Sequence, residues 1–159
     1  MTLDETVLQK LADWQPPRGS RQTLAVADEG SGWAVSLTVD RHDDLSSALW
    51  EIHLQRVVAA PAGLTLEGWA NGVTQRVTGL LEPLWVLEID VQRNEALLRS
   101  NEPSRRNADL FYYEVLLKRT QAAIVRRYQA SPGGGRREQV PFVLTHEVLA
   151  KFVRDLAAG

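Results

Sequence analysis

Apolar and polar residues repeat with two different periods along the chain, and the change of period predicts where helices and strands lie. Within Leu66–Leu81 apolar residues recur every three or four positions, which places them on one face of an α-helix. Thr65 stands at the N-cap position of this helix, and Pro83 marks its end. Within Trp33–Val39 the period is two, as in a half-buried strand. A central amphipathic helix between two groups of strands predicts a single α+β domain.

The remaining elements follow from the same patterns. A first helix is predicted from Leu3 to about Asp13, because Thr2 and Glu5 have capping-box spacing, and a last helix from about His146 to Ala157. The predicted strands are Thr23–Ala27, Trp33–Val39, Ala48–Val57, Leu84–Val91, Glu95–Ser100, Leu110–Lys118 and Ala122–Gln129. Short turns join most of them, so we expect antiparallel neighbours. The prediction for residues 1–159 is one α+β domain, an antiparallel sheet with helices packed on one face, in the order α-βββ-α-ββββ-α.

Two finer expectations concern the faces of strands. In the third strand, the pattern predicts Trp50, Ile52 and Leu54 on the apolar face, with Glu51 and His53 on the other. The segment Leu84–Val91 is largely apolar, which predicts a central position in the sheet.

Composition narrows the function classes. The chain has no cysteine, so disulfides, zinc–thiolate sites and cysteine nucleophiles are excluded. It has no run of about 18 apolar residues and no basic start followed by an apolar stretch, so we expect a cytoplasmic protein without a membrane span or signal peptide. The net charge is −2, although residues 80–159 hold 12 basic and 10 acidic side chains.

Catalytic and metal-binding motifs are missing from the sequence. His42-Asp43-Asp44 is one polar turn with no distant ligand at metal spacing, and His146-Glu147 lacks the second histidine of a zinc-protease helix because position 150 is alanine. We therefore expect no catalytic residue, no metal and no cofactor. The alternative is an enzyme or small-ligand protein with a pocket at the sheet, for which His53, Glu51 and Asp90 are the available polar residues.

Six residues are candidates for contact with a partner. Trp14 and Trp33 belong either to a tryptophan-rich core or to an aromatic groove. Arg126 and Tyr128 share a strand face by parity, and Arg136 and Arg137 follow a glycine-rich segment. This arginine-rich second half leaves weak nucleic-acid binding open as a third hypothesis, opposed by the negative net charge and by Glu114, which shares a face with Tyr112.

The order of elements resembles that of the class I type III secretion chaperones and their YbjN-type relatives. The resemblance rests on Leu3–Trp14, Trp33–Val39, Leu66–Leu81 and Val148–Leu156 as elements, and not on a sequence motif. It implies a cytosolic homodimer that holds an extended segment of a client protein, and it transfers no site residue. Together with the absence of catalytic motifs, it makes a non-catalytic protein-binding, adaptor or chaperone-like protein the leading hypothesis, with self-association as a homodimer.

Overall fold

The structure, a computed structural model, describes residues 1–133 and 135–158. Its helices are α1 (Leu3–Asp13), α2 (Leu66–Arg76) and α3 (His146–Ala157). Its longer strands are β1 (Gln22–Asp28), β2 (Trp33–His42), β3 (Ser46–Arg56), β4 (Leu84–Asp90), β5 (Glu95–Ser100), β7 (Asp109–Lys118) and β8 (Ala122–Ala130). Three short strands are added to these: β6 (Ser104–Arg106), β9 (Glu138–Val140) and β10 (Phe142–Thr145).

All ten strands form one antiparallel sheet, whose main path runs β1-β2-β3-β8-β7-β5-β4. Two groups of strands meet at its centre, where β3 pairs with β8 and Ile52 lies opposite Val125. The predicted α+β class and element order are confirmed. The central position predicted for Leu84–Val91 is wrong, because β4 is one of the two ends of the path.

The three helices pack together on one face of the sheet and form the core with the side chains that point toward them. Trp69 of α2 is buried in this core, and its Nε1–H donates a hydrogen bond to the Leu156 carbonyl of α3 at 2.9 Å. Burial of this face makes the largest favourable contribution to the free energy of folding, because it removes apolar area from water.

The central helix ends earlier than the periodicity predicts. Its last residue is Arg76, and the extended Val77 caps it, so Leu80 and Leu81 lie in the connection to β4. The chain passes close to α3 here: a Cβ at Gly79 would lie 3.3 Å from the Val148 side chain. Glycine therefore brings this connection against α3, whereas the sequence periodicity could not distinguish Leu80 and Leu81 from helical positions.

An irregularity between β2 and β3 moves Trp50 off the apolar face. The register shifts around Val39, which pairs with Leu49 instead of Trp50. Leu49 is fully buried in the core, whereas the Trp50 ring lies under the Arg21 guanidinium, 3.8 Å from its carbon. The face predicted for Trp50 is therefore wrong, and the bulge is the physical reason. Ile52 and Leu54 point into the core as predicted.

Among the described residues, none of the helices combines the length and the apolar character needed to span a membrane.

Candidate functional site

The second face of the sheet carries no helix within the described part of the chain, and we call it the open face. Its middle is crossed by a row of alternating charges contributed by four neighbouring strands. From β5 to β3 the row reads Arg99, Glu114, Arg126 and Glu51. Arg99 Nε donates to Glu114 Oε2 at 2.9 Å, and Arg126 Nε donates to Glu51 Oε1 at 2.7 Å. Opposite charges on adjacent strands stabilise this pairing of the sheet.

Aromatic rings lie beside the charged row. Tyr112 of β7 and Tyr128 of β8 are cross-strand partners, with ring centroids 6.0 Å apart. Arg137 places its guanidinium 3.9 Å from the Tyr128 ring centroid and donates to Glu114 at 2.6 Å. Burial disfavours the charged form of Arg137, but Tyr112 and Glu114 outweigh this effect and raise its pKa.

Three of the six candidate partner-binding residues therefore come together on the open face: Arg126, Tyr128 and Arg137. Arg136 is exposed in the segment before β9. Trp33 is 2% exposed and packs beside Trp69, with ring centroids 6.0 Å apart, so it belongs to the core and offers no surface to a partner. Trp14 is half-buried against the core, with its ring 5.0 Å from that of His42.

The free edge of the sheet at β4 was not among the predicted sites. Nine large hydrophobic residues are exposed in the described chain, and four of them fall within residues 81–91. Their exposed fractions are 77% for Leu81, 48% for Trp85, 40% for Leu87 and 86% for Val91. Trp85 and Leu87 lie on β4 itself, whereas Leu81 and Val91 lie in the connections before and after it. Exposed apolar side chains clustered around an edge strand are typical of an interaction site.

The other edge of the sheet is chemically different. The outward positions of β1 hold the small side chains of Thr23, Ala25 and Ala27. The apolar exposure is therefore a property of β4 and not of sheet edges in this protein generally. A sequence signal for β4 exists in hindsight: Glu88 and Asp90 interrupt its apolar run, and a strand buried on both faces does not accommodate two carboxylates.

The polar residues proposed for an enzyme pocket do not share a cleft. Glu51 and His53 lie on the open face of β3, near the middle of the sheet, whereas Asp90 lies on β4 at its edge. Asp90 accepts a hydrogen bond from the Arg93 amide at 3.1 Å and so shapes the β4–β5 turn. The described residues contain no group of three metal-binding side chains.

A buried ion pair lies on the helix-covered side. Arg127 donates to both carboxylate oxygens of Glu82, at 2.9 and 3.0 Å, and Ser100 and Ser104 donate to the same carboxylate. Burial alone would raise the pKa of Glu82, but these hydrogen bonds and the Arg127 charge hold it below its ordinary value. Arg127 also lies 4.1 Å from the Tyr113 ring centroid. Because both carboxylate oxygens of Glu82 are hydrogen-bonded and enclosed, this cluster has no free group for chemistry.

Two histidines far apart in the sequence also meet. The rings of His42 and His146 stack with centroids 4.9 Å apart, and both contact the buried hydroxyl of Ser47, at 2.8 and 3.3 Å. The carbonyl of Leu11 can only accept, so His42 Nε2 donates to it at 3.1 Å. With neutral rings, Ser47 then donates to His42 Nδ1, and His146 Nε2 donates to Ser47. The Ser47 hydroxyl is 1% exposed, so this cluster is not an accessible nucleophile.

Comparisons with protein-family models, with curated proteins and with solved structures found no match to the chain.

Proposed function

We propose that this protein is a non-catalytic protein-binding protein, of the adaptor or chaperone-like kind, and that the free edge strand β4 receives an extended segment of a partner protein. The observation that supports the proposal most strongly is the concentration of exposed apolar side chains on that edge. The cysteine-free composition agrees with a cytoplasmic location for this activity.

An extended segment is the occupant that the geometry of an edge favours. β4 has β5 as its neighbour on one side, and its other side presents backbone N–H and C=O groups. A strand added there would satisfy these groups, while its side chains contact Trp85 on the open face. Trp85 lies opposite Arg99 in the register, so on the open face an apolar side chain would separate the added strand from the charged row.

Charge favours a partner segment over a second copy of β4. Residues 84–90 contain Glu88 and Asp90 and no basic residue, so two copies of this strand would bring four carboxylates together. The segment that fits best is therefore apolar with lysine or arginine among its side chains.

A displayed library of random ten-residue peptides tests this assignment. The wild-type protein is expected to enrich peptides that combine apolar with basic residues. Leu87→Lys should abolish the enrichment, because it places a charge in the middle of the apolar edge. Glu88→Lys should change the preference from basic to acidic peptides. Ala25→Lys on the exposed side of β1 is the matched control and should leave the enrichment unchanged.

Two results of the peptide screen would contradict the proposal. Failure of the wild type to enrich any peptide family would contradict it, and so would enrichment that Leu87→Lys and Ala25→Lys affect equally. Light scattering of the same proteins tests the other occupant. A stable dimer that Leu87→Lys dissociates would assign the edge to a second copy of the chain and would overturn the partner-segment proposal.

A further inference from the structure

We infer that a second site, separate from the β4 edge, binds the carboxylate of a small organic acid. A groove of about 840 Å³ lies between the α1–β1 connection and the ends of β2 and β3. Its volume falls within the range of small-molecule sites, roughly 300–1,000 Å³. The groove belongs to the β1–β3 half of the sheet, whereas β4 ends the opposite half.

The groove has an apolar wall. Pro16 and Pro17 line it from the connection that follows α1, and Val143 of β10 lines it with 58% of its surface exposed. Two consecutive prolines fix the backbone of this wall, which reduces the entropy lost when a ligand binds. An apolar ligand body would cover Val143 and remove that surface from water.

The charge that the groove leaves uncompensated is positive. Of its three arginines, Arg21 is paired with Asp40, with Nε donating to Oδ1 at 2.7 Å. Arg18 and Arg41 are exposed, and neither forms an ion pair within the described residues.

The acidic residues of the groove are already engaged. Asp40 is held by Arg21, and Asp43 Oδ1 accepts the Leu45 and Ser46 amides, both at 2.8 Å. The hydrogen bonds from these amides lower the pKa of Asp43, so it remains a carboxylate that closes the hairpin. The ring nitrogens of His42 are also occupied, by Ser47 and Leu11. Arg18 and Arg41 are therefore the groups available to a ligand, and guanidinium groups bind carboxylates in two-pronged geometry.

The shared ligand chemistry is an apolar body with one carboxylate, which either a free acid or the C-terminal residue of a peptide supplies. Hexanoate and its neutral counterpart hexanamide are the first probes, followed by one hexapeptide with a free and with an amidated C-terminus. Amide NMR spectra of the whole chain report where each probe binds. We expect saturable amide shifts at residues 18–22, 39–43 and 143 with hexanoate and much weaker ones with hexanamide.

Paired variants identify the arginines. Arg18→Gln/Arg41→Gln should weaken hexanoate binding roughly tenfold or more, since hydrogen bonds to charged groups are lost. Arg93→Gln/Arg105→Gln makes the same change of charge at exposed arginines outside the groove and should leave the affinity unchanged. Val143→Ser should weaken hexanoate binding while preserving the preference over hexanamide.

The outcomes separate the two ligand sources and the two sites. Hexanoate binding assigns the groove to free acids; binding of only the peptide with the free C-terminus assigns the same chemistry to a chain end. Absence of localised shifts with every probe would overturn the inference, as would equal binding of hexanoate and hexanamide. Equal affinity of the two double-arginine variants for hexanoate would also overturn the inference. None of these results depends on the peptides that β4 selects.

Discussion

Arg126 and Arg127 are neighbours in the chain, but their guanidinium groups lie in opposite environments. Arg126 is partly exposed on the open face beside Glu51, whereas Arg127 is buried with Glu82. Alternation along a strand predicts that the two residues point to different faces, and it does so correctly. This alternation does not identify the partner of Arg127, because Glu82 lies in a connection 45 residues away in the sequence.

The two ion pairs should contribute very differently to stability. Glu82→Gln is expected to destabilise the fold by about 3–5 kcal/mol, because it leaves the Arg127 charge buried without compensation. Glu51→Gln on the open face is the matched control and should change stability by about 0–1 kcal/mol. Urea unfolding followed by circular dichroism measures both values. Equal effects of the two substitutions would show that Arg127 gains no special stability from Glu82.

The histidine cluster should make stability depend on pH near neutrality. Burial, and then the charge of His42, lower the pKa of His146 below its ordinary 6.5, although a hydrogen bond to the Ser46 backbone and the charges of Asp43 and Asp44 oppose this effect. His146 also begins α3, where a positive charge opposes the helix dipole. The unfolded chain then binds more protons than the folded one as pH falls below 6.5. The free energy of unfolding should keep its full value above pH 6.5 and decrease below it, by at most about 1.4 kcal/mol per pH unit for one titrating group.

Urea midpoints measured from pH 8 to pH 5.5 test this account. His146→Gln should flatten the profile, whereas His53→Gln, on the open face, should leave it unchanged. A profile that is the same in wild type and His146→Gln would exclude the cluster as its origin.

At the scale of elements, capping residues and apolar periodicity predict the bounds of a helix correctly where those bounds depend only on its own residues. The helices α1 and α3 begin and end where capping residues and apolar periodicity predict, at Leu3–Asp13 and His146–Ala157. The predictions fail where another element intervenes. Leu80 and Leu81, predicted to be helical, lie in the connection that passes against α3 at Gly79, and the edge position of β4 depends on the pairing of all other strands.

The candidate functional residues also divide into those that a local pattern identifies and those that only the fold brings together. Parity along β8 places Arg126 and Tyr128 on one face, but only the fold shows that Arg137 reaches them. The apolar edge at β4 and the groove beside Arg18 and Arg41 depend on contacts between distant segments. The two carboxylates of β4 argue against burial on both faces but do not identify a free edge, so neither site was predicted.

Two glycines in left-handed conformation test packing at the level of an element. Gly32 in the β1–β2 turn has φ +80°, and a Cβ there would lie 2.5 Å from Val58 Cγ2. Gly63 has φ +84° with open space around it. Gly63→Ala should therefore lower the free energy of unfolding only by the backbone strain, about 1–2 kcal/mol, and Gly32→Ala should lower it by measurably more. Thermal unfolding of both variants measures the difference. Equal losses would mean that Val58 moves aside freely.

At the scale of the whole molecule, the sheet separates the core from the surfaces that we propose for binding. One face, covered by three helices, contains the core, whereas the open face holds the charged row and its aromatic neighbours. The two ends of the sheet are also unlike: β1 exposes small side chains, and β4 exposes large apolar ones beside two carboxylates. A partner segment that binds only one edge would leave the core and the groove unchanged.

Hydrogen–deuterium exchange of the whole chain, with and without the tightest-binding library peptide, locates the bound segment on the sheet. If β4 is the binding edge, the peptide slows exchange in residues 84–90, and residues 22–28 of β1 exchange at the same rate in both samples. Slower exchange in β1 or on the helices, with residues 84–90 unchanged, would contradict the assignment of β4 as the binding edge.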